Sequence, residues 1–445
     1  MQTIKEHVVS TIKLAYPVSI GQLGFVLMGV VDSMMVGGLG AAPLAAASLA
    51  NGLFLLILII GIGVSYAVSP LVAIAVGAKK YSECQIIFKQ SHLINFLLGI
   101  ILLGVTYFFS DFIKYLNEPA KVTSLTISYI RILGLSILPS MLFQTYRQFI
   151  EGLSHTRPAM VFTILANIIN LFMNWVLVYG KLGFPRWGLN GSGWATFSSR
   201  LFMAAALMLY VMYSKNYKDY NVSPLFSKIN LPVIKKILGL GFPSAIQYAF
   251  EVGAFTFAVL MIGWLGTKQL AAHQIAINLA SVTYMITLGI SSAGGIRVGN
   301  ALGKQNISEV RKAGFSAAGL GAALMACFGI IFITLHNFLP SLYINDPDVI
   351  SIAGQLLIIA AIFQIFDGTQ AVGIGILRGL TDVKIPTFIT FVAYWVIALP
   401  VGYVLGFDFH LKVVGVWIGL LLGLVTSAVL LTLRFNRRSK KLISI

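Results

Sequence analysis

Three acidic side chains lie deep inside long apolar stretches of this sequence: Asp32, Glu251 and Asp367. The remaining acidic residues, of 14 in all, fall in polar connections or near the ends of such stretches. An ionised carboxylate at the centre of a bilayer costs about 2.5–3.5 kcal/mol or more, so it must face a wet cavity, a partner or a bound cation. Burial favours the neutral carboxyl, and a nearby cation favours the ionised form. These groups can therefore exchange a proton for Na+ or for an organic cation, and such an exchange couples an ion gradient to transport.

Side chains with oxygen ligands in two later stretches could complete a cation site around Asp32. Asn170 and Asn174 are one helical turn apart and share a helix face, and Thr196 follows in the next apolar stretch. Amide and hydroxyl oxygens together with a carboxylate suit a hard cation such as Na+. The alternative is that these residues form hydrogen bonds that only hold neighbouring helices together.

Polar residues also share helix faces with the other two acids. The candidates are Ser244, Gln247, Tyr248 and Phe255 around Glu251, Gln274 and Asn278 in the following stretch, and Phe363, Gln364 and Gln370 around Asp367. Polar groups among aromatic rings fit a pocket for an amphipathic cation, held by carboxylate pairing and cation–π contact. Ordinary packing is the alternative for any single ring. We therefore treat Asp32, Glu251 and Asp367 as the candidate Na+ ligands, and we expect His273 near the outer membrane surface in a structural hydrogen bond.

Composition indicates the environment in which these groups work. The chain has 445 residues, of which 58% are hydrophobic and only 10% are charged. That much apolar surface cannot be hidden in one soluble core, so the sequence predicts an all-α protein that crosses the bilayer many times. The net charge of +17 is explained by cytoplasmic loops, which collect Lys and Arg, and not by nucleic acid.

The sequence contains no signal for an enzyme or for a bound cofactor. Cys84 and Cys327 are far apart and form no CxxC motif, so we expect no disulfide framework or metal cluster. The segment GGIRVGNALGK lacks the spacing of a phosphate-binding loop. No nucleophile is paired with a base. We therefore expect no cofactor besides the transported Na+ or H+.

Apolar runs of about 20 residues are long enough to cross a hydrocarbon core of roughly 30 Å. The sequence predicts twelve such spans, at 12–36, 46–74, 86–109, 124–149, 159–179, 191–213, 238–263, 270–296, 313–335, 349–376, 387–406 and 413–433. The long polar segment 214–237 separates the sixth span from the seventh. It predicts an N-terminal lobe at 1–213, a cytoplasmic linker at 214–237 and a C-terminal lobe at 238–445.

The distribution of basic residues predicts the orientation of the chain. With twelve alternating spans, most of the 31 Lys and Arg residues fall on the side of the two termini. Only six fall on the opposite side: Lys114, Lys121, Lys181, Arg186, Lys268 and Lys412. Because cytoplasmic loops are enriched in Lys and Arg, we expect both termini to be cytoplasmic.

The two halves of the chain repeat each other without gaps in the first part of each half. Pro17 corresponds to Pro243, Gly40 to Gly266 and Gly77 to Gly303, all at one constant offset. The later segment EGLSHTRP, which begins at Glu151, resembles RGLTDVKIP, which begins at Arg378. A series at one offset predicts two homologous halves in parallel order.

The chain resembles the multidrug and toxic compound extrusion (MATE) family, in its bacterial NorM-type branch. The resemblance rests on MGVVDSMMVGGLG, EGLSHTRPAM, NIINLFMNWVLVYGKLG, GFPSAIQYAFEV, LAAHQIAINLAS, GIRVGNALGK and FDGTQAVGIGILRG, which together span nearly the whole chain. It implies two pseudo-symmetric six-helix lobes that form a V-shaped cavity and alternate in access. It also implies export of small cationic hydrophobic drugs in exchange for Na+ or H+. We expect the protein to be a monomer in the bacterial inner membrane.

The resemblance also assigns roles to individual residues. Asp32, Asn170, Asn174 and Thr196 would form the cation site of the N-terminal lobe, and Glu251 and Asp367 would be the carboxylates of the C-terminal lobe. Some relatives have a Tyr one turn before the second of these acids, where this chain has Phe363.

The alternative function is a flippase for lipid-linked oligosaccharides, which needs a cationic cavity for phosphate. Only Arg131 and Arg200, inside predicted spans, favour it.

Overall fold

The computed structural model describes residues 3–115, 118–220, 222 and 228–442. In this part of the chain twelve helices are long and apolar enough to cross a membrane. They are α1 (Ile4–Gly37), α2 (Ala41–Gly77), α3 (Tyr81–Tyr115), α4 (Ala120–Gly152), α5 (Arg157–Tyr179), α6 (Leu189–Tyr213), α7 (Leu231–Trp264), α8 (Thr267–Gly303), α9 (Ile307–Thr334), α10 (Pro347–Gly379), α11 (Lys384–Asp408) and α12 (Lys412–Lys441). The prediction of an all-α protein with twelve spans is confirmed.

The helices extend beyond the predicted spans at nearly every end, because polar residues continue the helical backbone past the apolar stretch. The extension matters most in α10, which ends at Gly379 and not at 376. It places Arg378 inside the helix, whereas the sequence interpretation placed this residue in a loop. Likewise, α4 ends at Gly152 and includes Glu151.

Four of the long helices are not regular throughout. In α3 the last five residues, Asp111–Tyr115, form a 3-10 helix. In α2 the α-helical hydrogen bonding is interrupted between Ser65 and Val68, and in α4 it is interrupted at Ser136. In α11, two π-helical turns lie at Val392–Ala398 and Val404–Asp408. Such π-turns are rare and often lie at functional sites. Short helices at Lys215–Tyr220 and Phe338–Ser341 complete the helical structure of the described residues.

Backbone conformation repeats between the halves, as the sequence repeat predicted. Gly40 has a φ of +112° and Gly266 a φ of +116° at the starts of α2 and α8. Lys79 (φ +58°) corresponds to Gln305 (φ +56°); each lies two residues after the end of its helix, α2 or α8. Left-handed backbone is uncommon for residues other than glycine, so its recurrence at matching positions indicates one ancestral chain path used twice.

The chain forms two compact units, Ile20–Ala245 and Met1–Ser19 together with Ile246–Ile445. Both division points lie inside long helices, two residues after Pro17 in α1 and two residues after Pro243 in α7. The N-terminal part of α7 therefore belongs to the unit Ile20–Ala245, and the N-terminal part of α1 belongs to the other unit. In this respect the units differ from the lobes expected at 1–213 and 238–445. The lobes of the sequence repeat and their linker remain a prediction.

The expected linker is described only in part, because residues 221 and 223–227 lie outside the described residues. Its last residues are fixed to α3 by the buried side chain of Gln90. The Gln90 amide nitrogen donates to the Lys228 carbonyl at 3.1 Å, and its oxygen accepts from the Asn230 backbone at 3.2 Å. The start of α7 is thereby positioned within the unit Ile20–Ala245.

Close packing of α8 against α10 positions one of the candidate sites. A side chain at Gly295 would lie 2.6 Å from the Gly375 carbonyl oxygen, and one at Gly379 would lie 2.5 Å from the Gly295 carbonyl oxygen. Small residues allow helix backbones to approach closely in a membrane, where no hydrophobic effect drives the helices together. This contact brings the polar residues of α8 next to those of α10.

Candidate functional site

Asp32 is the centre of a polar cluster in the unit Ile20–Ala245. Its side chain is buried on α1, and its Oδ1 atom accepts hydrogen bonds from Asn170 Nδ2 at 3.1 Å and from Asn174 Nδ2 at 2.7 Å. Its Oδ2 atom accepts from Thr196 Oγ1 at 2.6 Å. Hydrogen bonds to an ionised carboxylate favour the charged form. The structure therefore brings together all four residues predicted for this site.

The two asparagines are held in place by their own helix. Asn170 and Asn174 are fully buried on α5, and Asn174 Nδ2 also contacts the Asn170 carbonyl at 3.0 Å. The Asn174 Oδ1 atom is buried and has no hydrogen-bond donor among the described residues. An unused oxygen beside a carboxylate is a ligand set that a hard cation prefers. The donor set fits Na+, and its role as a cation site stays a prediction.

Arg200 is a charged neighbour of this cluster that the sequence interpretation did not connect with Asp32. It lies on α6, one turn after Thr196, and it interacts electrostatically with Asp32 without a direct ion pair. Its Nη1 atom donates to Ser136 Oγ at 2.8 Å, and its guanidinium lies 4.9 Å from the ring centre of Phe54. The spacing of Thr196 and Arg200, four residues apart, was the available signal.

A small cavity in the other unit contains Glu251. It is lined by Gln247, Tyr248, Glu251, Tyr284, Leu288, Ser291, Ala371, Ile374 and Arg378, which belong to α7, α8 and α10. Glu251 is buried, and its Oε1 atom accepts a hydrogen bond from Tyr284 Oη at 3.1 Å. The predicted residues Gln247, Tyr248 and Glu251 are thus grouped around one cavity.

Two residues of this cavity were missed from the sequence. Tyr284 is one aromatic residue among many in α8, and nothing in its spacing pointed to Glu251. Arg378 was placed in a loop because the span was predicted to end at 376, three residues before the helix ends. The Arg378 guanidinium interacts electrostatically with Glu251 but forms no direct ion pair with it among the described residues. A basic side chain therefore lines the same cavity as Glu251.

Asp367 lies on α10, buried, and does not line the cavity of Glu251. Among the described residues no donor lies within hydrogen-bonding distance of its carboxylate, yet it interacts electrostatically with Glu251. One turn earlier, Gln364 is fully buried, and neither of its amide atoms has a partner among the described residues. Two like charges in a low-dielectric interior cannot both be ionised without a compensating cation. A proton or a metal cation can supply that compensation.

The other residues predicted around these acids are not at the cavity wall. The buried ring of Phe363 packs 5.6 Å from the ring of Trp417 and 6.3 Å from that of Phe255. Gln274 and Asn278 are exposed, and their side-chain amides bond to each other at 3.1 Å. The structure does not bring these residues together with Glu251 around one cavity, and any role in substrate binding stays a prediction.

Hydrogen bonds between side chains link α11 to the helices that carry the acids. Tyr394, in the first π-helical turn, exchanges hydrogen bonds with Gln370 of α10 at 2.9 and 3.1 Å. Gln247 of α7 donates to Thr390 at 3.0 Å. These contacts fix α11 beside α7, which carries Glu251, and beside α10, which carries Asp367. The first π-helical turn of α11 therefore lies near both acids.

His273 is fully buried in α8, as the seventh residue of the helix, and its expected place near the outer membrane surface stays a prediction. Its Nδ1 atom accepts a hydrogen bond from Trp417 Nε1 at 3.0 Å. Because an indole nitrogen can only donate, this ring nitrogen carries no proton. The structural hydrogen bond expected for His273 is therefore present, with a partner on α12 that the sequence did not indicate.

The structure contains further buried acids that the sequence interpretation assigned to loops or span ends. Glu151 is buried at the end of α4 and pairs with Arg147 at 2.7 Å. Asp382 is buried after α10 and pairs with Arg434 at 2.8 Å and Arg438 at 3.3 Å. Arginine neutralises both carboxylates directly. Asp32, Glu251 and Asp367 differ from them because they form no ion pair with any described residue.

No group of three or more His, Cys, Asp and Glu side chains that could hold a metal ion occurs within residues 3–115, 118–220, 222 and 228–442. The groups that donate hydrogen bonds directly to Asp32 and Glu251 are instead neutral side chains. Such a donor set carries at most one negative charge. It matches a monovalent cation better than a divalent one.

Comparison with known proteins identifies the family. The family model described as MatE matches residues 17–176 and again residues 243–404. The two matches begin at Pro17 and Pro243, the prolines that correspond in the sequence repeat. The two homologous halves inferred from the sequence are thereby confirmed.

Relatives in sequence cover almost the whole chain. Multidrug resistance protein NorM of Vibrio parahaemolyticus is 36% identical over 440 residues, which cover 98% of this chain and 96% of the relative. Multidrug resistance protein MdtK of Yersinia pseudotuberculosis is 32% identical over 437 residues, which cover 97% of this chain and 96% of the relative.

Solved structures share the fold. The crystal structure of the eukaryotic MATE transporter AtDTX14 matches with a TM-score of 0.89 at 22% identity, over 99% of this chain and 98% of that one. An outward-facing MATE family multidrug transporter matches with a TM-score of 0.89 at 20% identity, over 98% and 96%. The repeated family match and the full-length relatives lead to one conclusion: this chain is a multi-pass membrane protein that belongs to the MatE family of transporters.

Proposed function

We propose that this protein is a secondary antiporter that exports cationic hydrophobic compounds from a bacterial cell in exchange for Na+ or H+. The proposal rests on the surroundings of Asp32, Glu251 and Asp367. All three are buried within membrane-spanning helices and form no ion pair with a described residue. Such carboxylates need a proton or a cation to be stable in a bilayer. Relatives named as multidrug resistance proteins support the same function.

The mechanism follows from the chemistry of the buried acids. Each carboxylate binds an inorganic cation or a proton in one state of the transporter and releases it in another. Binding of organic cargo and of the coupling ion then compete for the same negative charge, so the gradient of one drives the movement of the other. The two acids Glu251 and Asp367 interact electrostatically, so occupancy at one changes the affinity at the other.

The sequence supports the rest of the assignment. Because Lys and Arg concentrate on the side of the termini, both termini are proposed to be cytoplasmic, with the protein in the inner membrane. We propose that it works as a monomer without a cofactor. Six spans in each sequence half, joined by the 214–237 linker, form the proposed lobes for alternating access.

A flippase for lipid-linked oligosaccharides would need free positive charge for a phosphate group. Arg131, one of the two residues that favoured it, is 39% exposed and bonds to Ser110 Oγ at 2.9 Å and to Asp111 Oδ2 at 3.0 Å. Its charge is thus already compensated. The other residue, Arg200, lies beside the negative charge of Asp32. The antiporter is therefore the better-supported function.

Transport of ethidium into the lumen of inverted membrane vesicles, which corresponds to export from the cell, tests the proposal, with Na+ and pH gradients imposed separately. We expect one of the gradients to drive export in the wild type, and we expect Asp32→Asn and Glu251→Gln to reduce it strongly. Undiminished export by both variants would contradict the coupling role of these acids. A parallel assay of lipid-linked oligosaccharide translocation should be negative, and a positive result would favour the flippase.

A further inference from the structure

Arg200 holds a fixed place next to the Asp32 cluster. Thr196 and Arg200 are four residues apart on α6, so their side chains project from the same face of the helix. Thr196 donates to Asp32 Oδ2 at 2.6 Å, and this contact turns that face towards the carboxylate. Arg200 is thereby directed to the same side as Asp32, and its charge interacts with that of Asp32.

Two contacts keep the Arg200 guanidinium from docking directly on the carboxylate. Its Nη1 atom donates to Ser136 Oγ at 2.8 Å, where α4 is interrupted. Its guanidinium carbon lies 4.9 Å from the ring centre of Phe54, which is a cation–π distance. The Nε atom is fully buried and has no hydrogen-bond partner among the described residues. The positive charge is therefore held near Asp32, while the direct contacts of Asp32 are neutral donors.

An arginine in this place differs from an ordinary structural ion pair. Arg147 and Glu151, in the same unit, are in direct contact at 2.7 Å and compensate each other. The carboxylate oxygens of Asp32 instead accept hydrogen bonds from Asn170, Asn174 and Thr196. Arg200 acts on Asp32 only through its electric field. Because a guanidinium does not lose its proton in proteins, this field is permanent.

We infer that Arg200 is the resident counter-ion of Asp32 and sets the affinity and valence selectivity of the cation site for a monovalent metal ion such as Na+. The inference rests on the proposed function, in which Asp32 binds the transported cation. When the site is empty, the field of Arg200 lowers the cost of an ionised Asp32 without forming a direct ion pair with it. When a cation is bound, Arg200 repels it and promotes its release.

The same repulsion discriminates between cations of different charge. Coulomb energy is proportional to the charge of the bound ion, so a divalent cation is repelled twice as strongly as a monovalent one. Arg200 therefore selects against Ca2+ and Mg2+ at a site whose oxygen ligands would otherwise accept them. Loss of the charge should raise the affinity for Na+ and raise that for Ca2+ even more.

The test is cation-dependent thermal stability of the purified full-length protein in detergent, at constant ionic strength with choline chloride. Arg200→Gln is expected to lower the NaCl concentration for half-maximal stabilisation by about tenfold, and the CaCl2 concentration by a larger factor. Arg200→Lys, which keeps the charge, should stay within about twofold of the wild type. Arg131→Gln is the matched control, since Arg131 is already paired with Asp111, and it should leave both midpoints unchanged.

The outcomes separate this inference from the proposed function. Unchanged NaCl and CaCl2 midpoints in Arg200→Gln overturn the inference, and if Asp32→Asn abolishes the cation effect in the same assay, the proposed function stands. A shift in Arg200→Lys as large as that in Arg200→Gln also overturns it, because packing and not charge would be responsible. If Arg200→Gln does not fold, the wild type decides: stabilisation by CaCl2 at concentrations as low as those of NaCl, or by no cation, contradicts the inference.

Discussion

The hydroxyl group of Tyr284 lies 3.1 Å from Glu251 Oε1 and donates a hydrogen bond to it across the contact between α8 and α7. It is the one hydrogen bond to the Glu251 carboxylate from a described residue. The two residues are 33 positions apart in the chain, and both line the same small cavity. The charge state of Glu251 therefore depends on a neutral donor from a neighbouring helix, and motion of α8 relative to α7 would change it.

Tyr284→Phe tests this relationship. The substitution removes the hydroxyl and keeps the ring, so Glu251 loses a donor that favours its ionised form. Hydrogen bonds to charged groups contribute about 1.5–3 kcal/mol, and we expect ethidium export driven by a cation gradient to fall by about tenfold or more. Tyr343→Phe is the control, because Tyr343 is 52% exposed outside the cavity. Equal export by Tyr284→Phe and the wild type would show that the hydroxyl has no part in coupling.

Asp367→Asn tests the electrostatic interaction between Asp367 and Glu251. Asp367 is buried without a described hydrogen-bond donor, so a neutral amide removes both repulsion and the cost of burying a charge. We expect the variant to unfold at a temperature about 2–4 °C higher than the wild type in cation-free buffer, with a smaller additional increase when NaCl is added.

Asp408→Asn provides the comparison for that experiment, since Asp408 is exposed at the end of α11. It should unfold at the wild-type temperature with or without NaCl. A lower unfolding temperature for Asp367→Asn in cation-free buffer would mean that the carboxylate is already compensated in the empty protein.

The buried ion pair of Arg147 and Glu151 predicts a large loss of stability for Glu151→Gln. The side chains of both residues are at most 3% exposed, so the variant removes the carboxylate that neutralises a buried guanidinium. Removal of one partner of a buried pair costs about 3–5 kcal/mol. Unfolding in detergent should show this loss, and Arg147→Met combined with Glu151→Gln should recover part of it.

Lys114→Ala is the surface counterpart of that measurement. Lys114 and Asp111 form an ion pair at 2.7 Å, but their side chains are 60% and 51% exposed. Exposed pairs contribute about 0–1 kcal/mol, so this variant should be close to the wild type. Equal losses for Glu151→Gln and Lys114→Ala would contradict the burial of the first pair.

Gly375→Ala tests the close packing of α8 and α10. A methyl group at this position would overlap the backbone carbonyl and the hydroxyl of Ser291. Overpacking of this kind typically costs about 1–3 kcal/mol, so we expect a lower unfolding temperature and weaker transport, because Ser291 lines the cavity of Glu251. Gly319→Ala on α9 has no atom within 4 Å of the added methyl group and should be neutral or slightly stabilising. A lower unfolding temperature for Gly319→Ala than for Gly375→Ala would contradict the close packing of α8 against α10.

The sequence was sufficient for the features that depend on local composition. Apolar length determines which segments cross a bilayer, and this is why the twelve spans were predicted, with ends that differ from the helix ends by up to eight residues. The constant offset between Pro17 and Pro243 revealed the two halves, since homologous halves keep their register. Buried acids are rare enough in apolar stretches that Asp32, Glu251 and Asp367 stood out without any structure.

Tertiary structure decided which neighbours those acids have. Asn174 is 142 residues from Asp32; its residue type and its spacing from Asn170 made it a candidate, but only the packing of α5 against α1 determined that it reaches the carboxylate. Tyr284 and Arg378 gave no signal, because a tyrosine in an apolar helix and an arginine near a helix end are ordinary in membrane proteins. Helix packing alone determines whether such groups face lipid or a buried carboxylate. Hydropathy depends on the residues of one segment, whereas the energy of a buried charge depends on the atoms that surround it in space.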